Sequence, residues 1–161
     1  MKEYSVIKID NQNYYMFDDM VFWRIHKRER TPAEKLEASK SDFNTIYSAL
    51  SNPNLYVYAA LYNEKLVGWI SIIYMPKIGK LNGLGHLYID ELWVEPTYRN
   101  QGIAGNLMKK SDELLNSTAS AGIRLYVNTD NSNAKGLYEK CGFSGNAITY
   151  FMEKGKSSEM L

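Results

Sequence analysis

The stretch from residue 86 to residue 128 constrains the fold more than any other part of the chain. Residues 86–95 form an apolar, β-rich run stopped by Pro96, which has no N–H to continue a ladder. Residues 102–120 then carry Ile103, Ala104, Leu107, Met108, Leu114, Leu115 and Ala119. These fall on one face at helical spacing. Gly122 is expected to end that helix, and residues 123–128 read as a short strand. Strand, helix and strand predict a βαβ unit, with two parallel strands joined by a right-handed crossover.

The rest of the chain surrounds that unit. Residues 4–9 read as a strand, and 12–28 and 33–50 as helices. The second helix opens at Thr31-Pro32, with Glu34 close to the capping-box place. Residues 55–62 and 65–75 read as strands joined by a tight hairpin at Asn63-Glu64. Ala134, Leu137, Tyr138 and Cys141 stand at i, i+3, i+4 and i+7, predicting a short helix ended by Gly142. A last strand is expected over 147–153, and the polar end from Lys154 is expected to fray. Antiparallel strands leading into one βαβ unit predict an α/β fold with a mixed sheet. Too few strands alternate with helices for a doubly wound nucleotide fold. The 161 residues suit a single domain over 1–154 with a tail at 155–161.

Composition removes several function classes. Lys and Arg total 19 against 18 Asp and Glu, so the basic field that nucleic acid binding needs is not expected. No apolar run approaches the roughly 18 residues of a membrane span, and no membrane partner is expected. The N-terminus lacks a signal-peptide core, and one Cys cannot form an internal disulfide. These features fit a cytoplasmic protein. His26 and His86 have no Cys or carboxylate partners at metal-ligand spacing, so no metal is expected. Cys141 reads as a small buried residue, and Lys27-Arg28-Glu29-Arg30 as a solvated helix end.

Chemistry concentrates where the strand at 86–95 gives way to the following helix. A helix N-terminus presents unpaired N–H groups and a partial positive charge. Gly102, Ala104 and Gly105 lack bulk, so a ligand can approach the backbone closely. Arg99 adds a full charge, and the whole suits a diphosphate. The alternative is a glycine-bearing turn packed against the sheet. Walker and dinucleotide loops fit worse. The first needs Gly-Lys-Ser/Thr at its end, and the second needs Gly directly after the strand, where this chain has Glu95-Pro96.

Arg99-Asn100-Gln101-Gly102-Ile103-Ala104 resembles the acetyl-CoA signature of the GNAT superfamily of N-acetyltransferases, Arg/Gln-x-x-Gly-x-Gly/Ala. Leu92-Trp93-Val94, with Pro96, Tyr98 and Arg99, resembles the strand and entry loop before it. The segment from Asn128 through Asn133 and Tyr138 to Phe143 resembles the superfamily's second cofactor-contacting segment. The likeness is close over about 86–145. It implies a mostly antiparallel sheet whose central parallel pair splays into a V-shaped opening, flanked by helices.

The resemblance also implies roles. Acetyl-CoA would serve as co-substrate, its pantetheine arm along Leu92, Trp93 and Val94 and its diphosphate on the amides of Asn100, Gln101, Gly102, Ile103, Ala104 and Gly105. Asn128 and Asn133 would contact the cofactor, Tyr138 would act as general acid, and the Val94 N–H would face the developing oxyanion. Glu91 is the candidate general base, with a water relay as the alternative. Simple alternation places Glu91 and Trp93 on one strand face and His86, Asp90 and Leu92 on the other, unless a bulge intervenes.

The implied reaction is transfer of an acetyl group to a primary amine of a small molecule. Protein or peptide acetylation is the same-class alternative, and a non-catalytic acyl-CoA sensor the different-class one. Acceptor specificity is expected from Tyr14, Tyr15, Phe17, Phe22 and Trp23, from Asp18 and Asp19, and from residues 74–85 with Lys77 and Lys80. A homodimer is a further expectation from the resemblance.

Overall fold

The computed structural model describes residues 3–79, 81–145 and 147–155. The chain forms two compact units, Met1–Asn128 and Thr129–Leu161.

The first unit is built on one five-stranded sheet in chain order: β1 (Ser5–Lys8), β2 (Leu55–Tyr62), β3 (Lys65–Met75), β4 (Gly85–Val94) and β5 (Ser120–Arg124). Neighbours pair antiparallel except β4 and β5, which run parallel. Its helices are α1 (Tyr14–His26), α2 (Pro32–Ala38), α3 (Asn44–Leu50) and α4 (Ile103–Ser117). Asn63 and Glu64 both have positive φ, 45° and 62°. That conformation matches the twist of the flanking strands and closes the β2–β3 hairpin in two residues. Thr31 and Glu34 form the expected capping box: Glu34 N donates to Thr31 Oγ1 and Thr31 N to Glu34 Oε2.

The two sheet faces carry separate cores. α1 covers one, where Ile9, Met20, Val57, Ala59, Leu66 and Trp69 cluster with Phe17 and Trp93. α4 covers the other, burying Ile103, Leu107, Met108 and Leu114 near Ile70, Ile72 and Leu87. Each such buried aliphatic side chain contributes about 1.5–3 kcal/mol relative to exposure. Ser111, also buried there, donates its hydroxyl to the Met108 carbonyl at 2.6 Å.

Four expectations need correction. The helix expected over 33–50 is two helices. Ser39 Oγ donates to Leu36 O at 2.7 Å, and Asp42 Oδ1 accepts from Asn44 N at 2.9 Å. Such short polar side chains compete with the helical ladder. α4 ends at Ser117 rather than at Gly122, because Thr118 turns to extended backbone and its N–H and hydroxyl both bond the Leu114 carbonyl. Gly122 therefore lies within β5, which starts and ends earlier than the expected 123–128. Residues 147–153 form no strand. They have no ladder partner among the described residues, and Ile148, Tyr150, Phe151 and Met152 are exposed.

The second unit contains α5 (Ser132–Lys140). Asn131 caps it by accepting from Ala134 N at 3.1 Å. At its other end Gly142 takes φ 89°, Gly142 N donates to Glu139 O, and Phe143 N to Tyr138 O. This is a Schellman ending, with Gly in the left-handed position.

Candidate functional site

The parallel pair parts early. β4 meets β5 only at Gly85↔Ser120, Leu87↔Ile123 and Tyr88↔Arg124, and then runs on to Val94 without that partner. On its other side β4 stays paired with β3 up to Gly68↔Val94. In an antiparallel ladder alternate residues turn both N–H and C=O to the same neighbour. Glu95 N donates to Val67 O at 2.9 Å and fixes the phase. Trp93 therefore bonds β3, while the N–H and C=O of Leu92 and Val94 point along the edge that β5 has left. Arg99 Nε donates to Val94 O at 2.9 Å, and the Val94 N–H is directed into the opening.

The next turn is stiffened by a buried carboxylate. Glu95 accepts from Thr97 N at 2.8 Å and from the Thr97 hydroxyl, holding the turn Pro96–Tyr98. Asn100 then takes φ 59°, and Gly102, the N-cap of α4, takes φ 81°. The first helical bond runs from Asn106 N to Gly102 O. The amides of Gly102, Ile103, Ala104 and Gly105 thus precede any intrahelical acceptor, and among the described residues no side chain caps the helix start. A Cβ built on Gly105 meets nothing within 4 Å. Tyr4 Oη lies beside this turn and accepts from Asn106 Nδ2 at 2.6 Å. The sequence offered no signal for that contact, because Tyr4 and Asn106 are far apart in the chain. A helix start with unpaired amides, no capping side chain and open space before Gly105 fits a diphosphate. The edge that β5 has left, with the Leu92 N–H and C=O and the Val94 N–H turned to it, fits an amide-bearing chain laid beside it as an added strand.

A bulge corrects the expected faces of β4. The register slips between Ser71 and Ile72, so that Glu91 pairs Ser71, Ile89 pairs Ile72, and Asp90 is the extra residue. His86, Tyr88, Glu91 and Trp93 consequently share the α1 face, and His86 does not oppose Glu91 as simple alternation predicted. Leu92 and Val94 share the α4 face with Leu87 and Ile89. Glu91 Oε2 accepts from Trp69 Nε1 at 3.3 Å, and Arg24 Nη1 lies 3.8 Å from Glu91 Oε1. Ser71 Oγ, opposite Glu91, is enclosed and has no hydrogen-bond partner among the described residues. His86 is buried. Desolvation first, then Arg124 and Lys77, push its pKa below the usual imidazole value and favour the neutral ring.

Other expected acceptor residues are already occupied. Arg30 Nη1 lies 2.7 Å from both Asp18 Oδ2 and Asp19 Oδ1. Tyr14 and Phe17 pack into the α1 core, and Lys65 Nζ sits 3.5 Å from the Trp23 ring centroid. Within the Lys27–Arg30 run, Arg28 bonds Glu34, Lys65 bonds Glu29 and Arg30 bonds Asp18 and Asp19, so these three are paired rather than simply solvated. Tyr15 is exposed and lines a cavity of about 670 Å³ with Asp19, Arg30 and Lys65. Lys80 lies outside the described residues.

Asn128 is exposed and follows β5 rather than lying in it. In the second unit Asn133 is exposed on the first turn of α5 and Tyr138 is half-buried, its ring 6.1 Å from that of Phe143. Burial first, and Cys141 second, raise the Tyr138 pKa above its usual 10.0. Among the described residues no group of three or more His, Cys, Asp or Glu is placed to hold a metal ion, and no helix is long and apolar enough to cross a membrane.

The Acetyltransferase (GNAT) family matches this chain over residues 19–143. The chain belongs to the GNAT acetyltransferase family. Streptothricin acetyltransferase from Escherichia coli is 33% identical over 97 residues, which is 60% of this chain and 52% of that protein. The chain thus spans about half the length of the curated relative it matches. Among solved structures, this GNAT chain is similar to an aminoglycoside acetyltransferase from an uncultured soil metagenomic sample, in complex with trehalose. The TM-score is 0.75 at 16% identity, covering 95% of this chain and 97% of that one. It is also similar to AAC(6')-Iy in complex with the bisubstrate analogue CoA-S-monomethyl-acetylneamine, with a TM-score of 0.71 at 10% identity, covering 96% and 99%. At these identities the structural matches establish the GNAT fold, including its mixed sheet with one parallel pair. GNAT enzymes use acetyl-CoA.

Proposed function

We propose that this GNAT chain transfers an acetyl group from acetyl-CoA to a primary amine of a small molecule, by direct attack in a ternary complex. The observation that carries the reading is the outward-facing edge of β4 at Leu92 and Val94, leading into the uncapped start of α4. The streptothricin acetyltransferase likeness and the aminoglycoside acetyltransferase folds favour a small cationic acceptor over a protein.

In this reading the strand Leu92, Trp93 and Val94 holds the pantetheine arm through the edge groups of Leu92 and Val94. Arg99 and the amides of Asn100, Gln101, Gly102, Ile103, Ala104 and Gly105 hold the diphosphate, with Asn128 and Asn133 as further contacts. Bound acetyl-CoA supplies an activated acyl carbon and a thiolate leaving group. An alkylamine has a pKa of about 10.4 and must first lose a proton. Glu91, or water beside it, takes that proton. The amine lone pair then forms the C–N bond as the C–S bond breaks and its electron pair goes to sulfur, and the nitrogen gives up its second proton to water as the amide forms. The Val94 N–H donates to the carbonyl oxygen while charge builds there. Tyr138 donates its phenolic proton to the departing sulfur.

The test is release of free CoA thiol from acetyl-CoA with streptothricin, aminoglycosides, polyamines and short peptides, with the acetylated product identified by mass. Turnover on a small cationic amine supports the reading. Turnover on peptides alone would replace it with protein acetylation, and tight acetyl-CoA binding without turnover on any amine would favour the sensor.

A further inference from the structure

On the α1 face of the sheet, beside the diverging edge of β4, the Arg24 side chain lies against two indole rings and a carboxylate. Trp69 and Trp93 are cross-strand partners with ring centroids 5.0 Å apart. The guanidinium carbon of Arg24 lies 5.1 Å from the Trp69 centroid and 5.8 Å from that of Trp93. Both distances are within cation–π range. Its Nη1 is 3.8 Å from Glu91 Oε1, an ion pair too long to be a hydrogen bond, while the other Glu91 oxygen is fixed by the Trp69 indole. Two indole faces and an oriented carboxylate are the elements that recognise an organic cation.

The occupant is loosely held. The Arg24 side chain is 42% exposed and that of Glu91 51% exposed, and ion pairs in such settings are weak. Arg24 stands on α1, so a rotation about its own side-chain bonds is enough to vacate the two rings. Trp69 by contrast is buried, and Trp93 is anchored in β4.

We infer that the Trp69–Trp93–Glu91 cluster is the recognition site for a cationic group of the acceptor, an ammonium or guanidinium, which enters by displacing Arg24. The inference rests on the proposed acetyl transfer for its biological meaning. The site itself is a property of the folded chain without acetyl-CoA. Because Glu91 and Trp93 flank Leu92 on β4, the captured cation sits next to the edge proposed to hold the thioester. Arg24 thus acts as an internal competitor. It sets a threshold that a monocation meets poorly and a polycation, with further charges to place, meets more easily.

The test uses a cation that carries no primary amine and so cannot be the acetyl acceptor. n-Butylguanidinium is titrated into the full chain without acetyl-CoA, and tryptophan fluorescence is followed. An internal competitor that fills the site most of the time lowers apparent affinity by the fraction left open, so Arg24→Gln should tighten binding about 3- to 10-fold. Arg24→Ala should do the same, which guards against an accident of one variant, and near-ultraviolet circular dichroism checks that both fold. Trp93→Leu should weaken binding several-fold. Unchanged or weaker binding in both Arg24 variants would overturn the inference, as would equally tight binding in Trp93→Leu. Tighter binding in the Arg24 variants of an enzyme without turnover would leave the cation site standing and count against acetyl transfer alone.

Discussion

The guanidinium of Arg99 bonds the carbonyl of Val94 at 2.9 Å, so the signature loop is tied to the end of the strand whose amides face the opening. One residue therefore adds positive charge at the start of α4 and fixes the geometry of β4. Arg99→Ala should raise the KM for acetyl-CoA about 10-fold or more, since charge-assisted contacts contribute about 1.5–3 kcal/mol. The change in kcat should be smaller. Steady-state kinetics with acetyl-CoA varied at saturating amine read the two separately.

The glycines of the loop should separate folding from binding. Gly102 holds φ 81°, and a Cβ there would come no closer than 3.8 Å to its nearest neighbour, Tyr4 Oη. Backbone strain is then the whole penalty. Gly102→Ala should cost about 1–2 kcal/mol, a fall in Tm of roughly 2–8 °C by thermal melt. Gly105 is helical with open space before it. Gly105→Ala should stabilise the fold by up to about 1 kcal/mol, because alanine is the better helix former. It should also weaken acetyl-CoA, whose approach the new methyl obstructs. Melting and calorimetric titration of the same variant should move in opposite senses.

Tyr138→Phe should lower kcat about 10-fold or more while acetyl-CoA affinity stays near that of the wild type. The Tyr138 pKa is raised above 10.0, chiefly by burial. The protonated donor is therefore fully present below pH 10 and is lost only as pH rises through the higher folded value. The alkaline limb of kcat should fall above pH 10, and Tyr138→Phe should lack it. The phenylalanine variant keeps the ring contact with Phe143, so a loss of activity would not reflect a lost packing contact.

Glu34 is held at about 2 by its bond from Arg28, and next by the Thr31 backbone. A depressed folded pKa means that this capping contribution is present above the usual carboxylate value of 4.5 and is lost as pH falls toward 2. The carboxyl carbon of Glu34, followed by NMR, should titrate near the lower value. Arg28→Ala should bring it back toward 4.5, and a midpoint that did not move would contradict the assignment to Arg28.

The loop at Arg99–Gly105 was legible in the sequence because its demands are on residue type. Only small residues allow close backbone approach, and Gly102 takes a left-handed turn. The parallel pair was legible from the switch between strand and helix periods. The face of His86 was not, since the bulge at Asp90 is set by the register against β3, a strand distant in sequence. The break between α2 and α3 came from single side-chain bonds by Ser39 and Asp42, which an otherwise continuous helical pattern concealed. The end of α4 followed the same rule, with Thr118 acting before Gly122 could. The Arg24 cluster left no mark at all, because it depends on the phase of α1 over Trp69 and Trp93. Residues 147–153 read as a strand from their apolar content, yet a strand also needs a partner ladder.

Calorimetric titration of acetyl-CoA into the wild-type chain decides whether the edge of β4 and the start of α4 hold an acyl-CoA. One binding site is expected, with a dissociation constant on the order of 1–100 μM, about −8 to −5.5 kcal/mol, weakened by Arg99→Ala and by Gly105→Ala. Absence of binding up to millimolar acetyl-CoA would contradict it, because the outward edge of Leu92 and Val94 and the uncapped start of α4 would then hold no acyl-CoA.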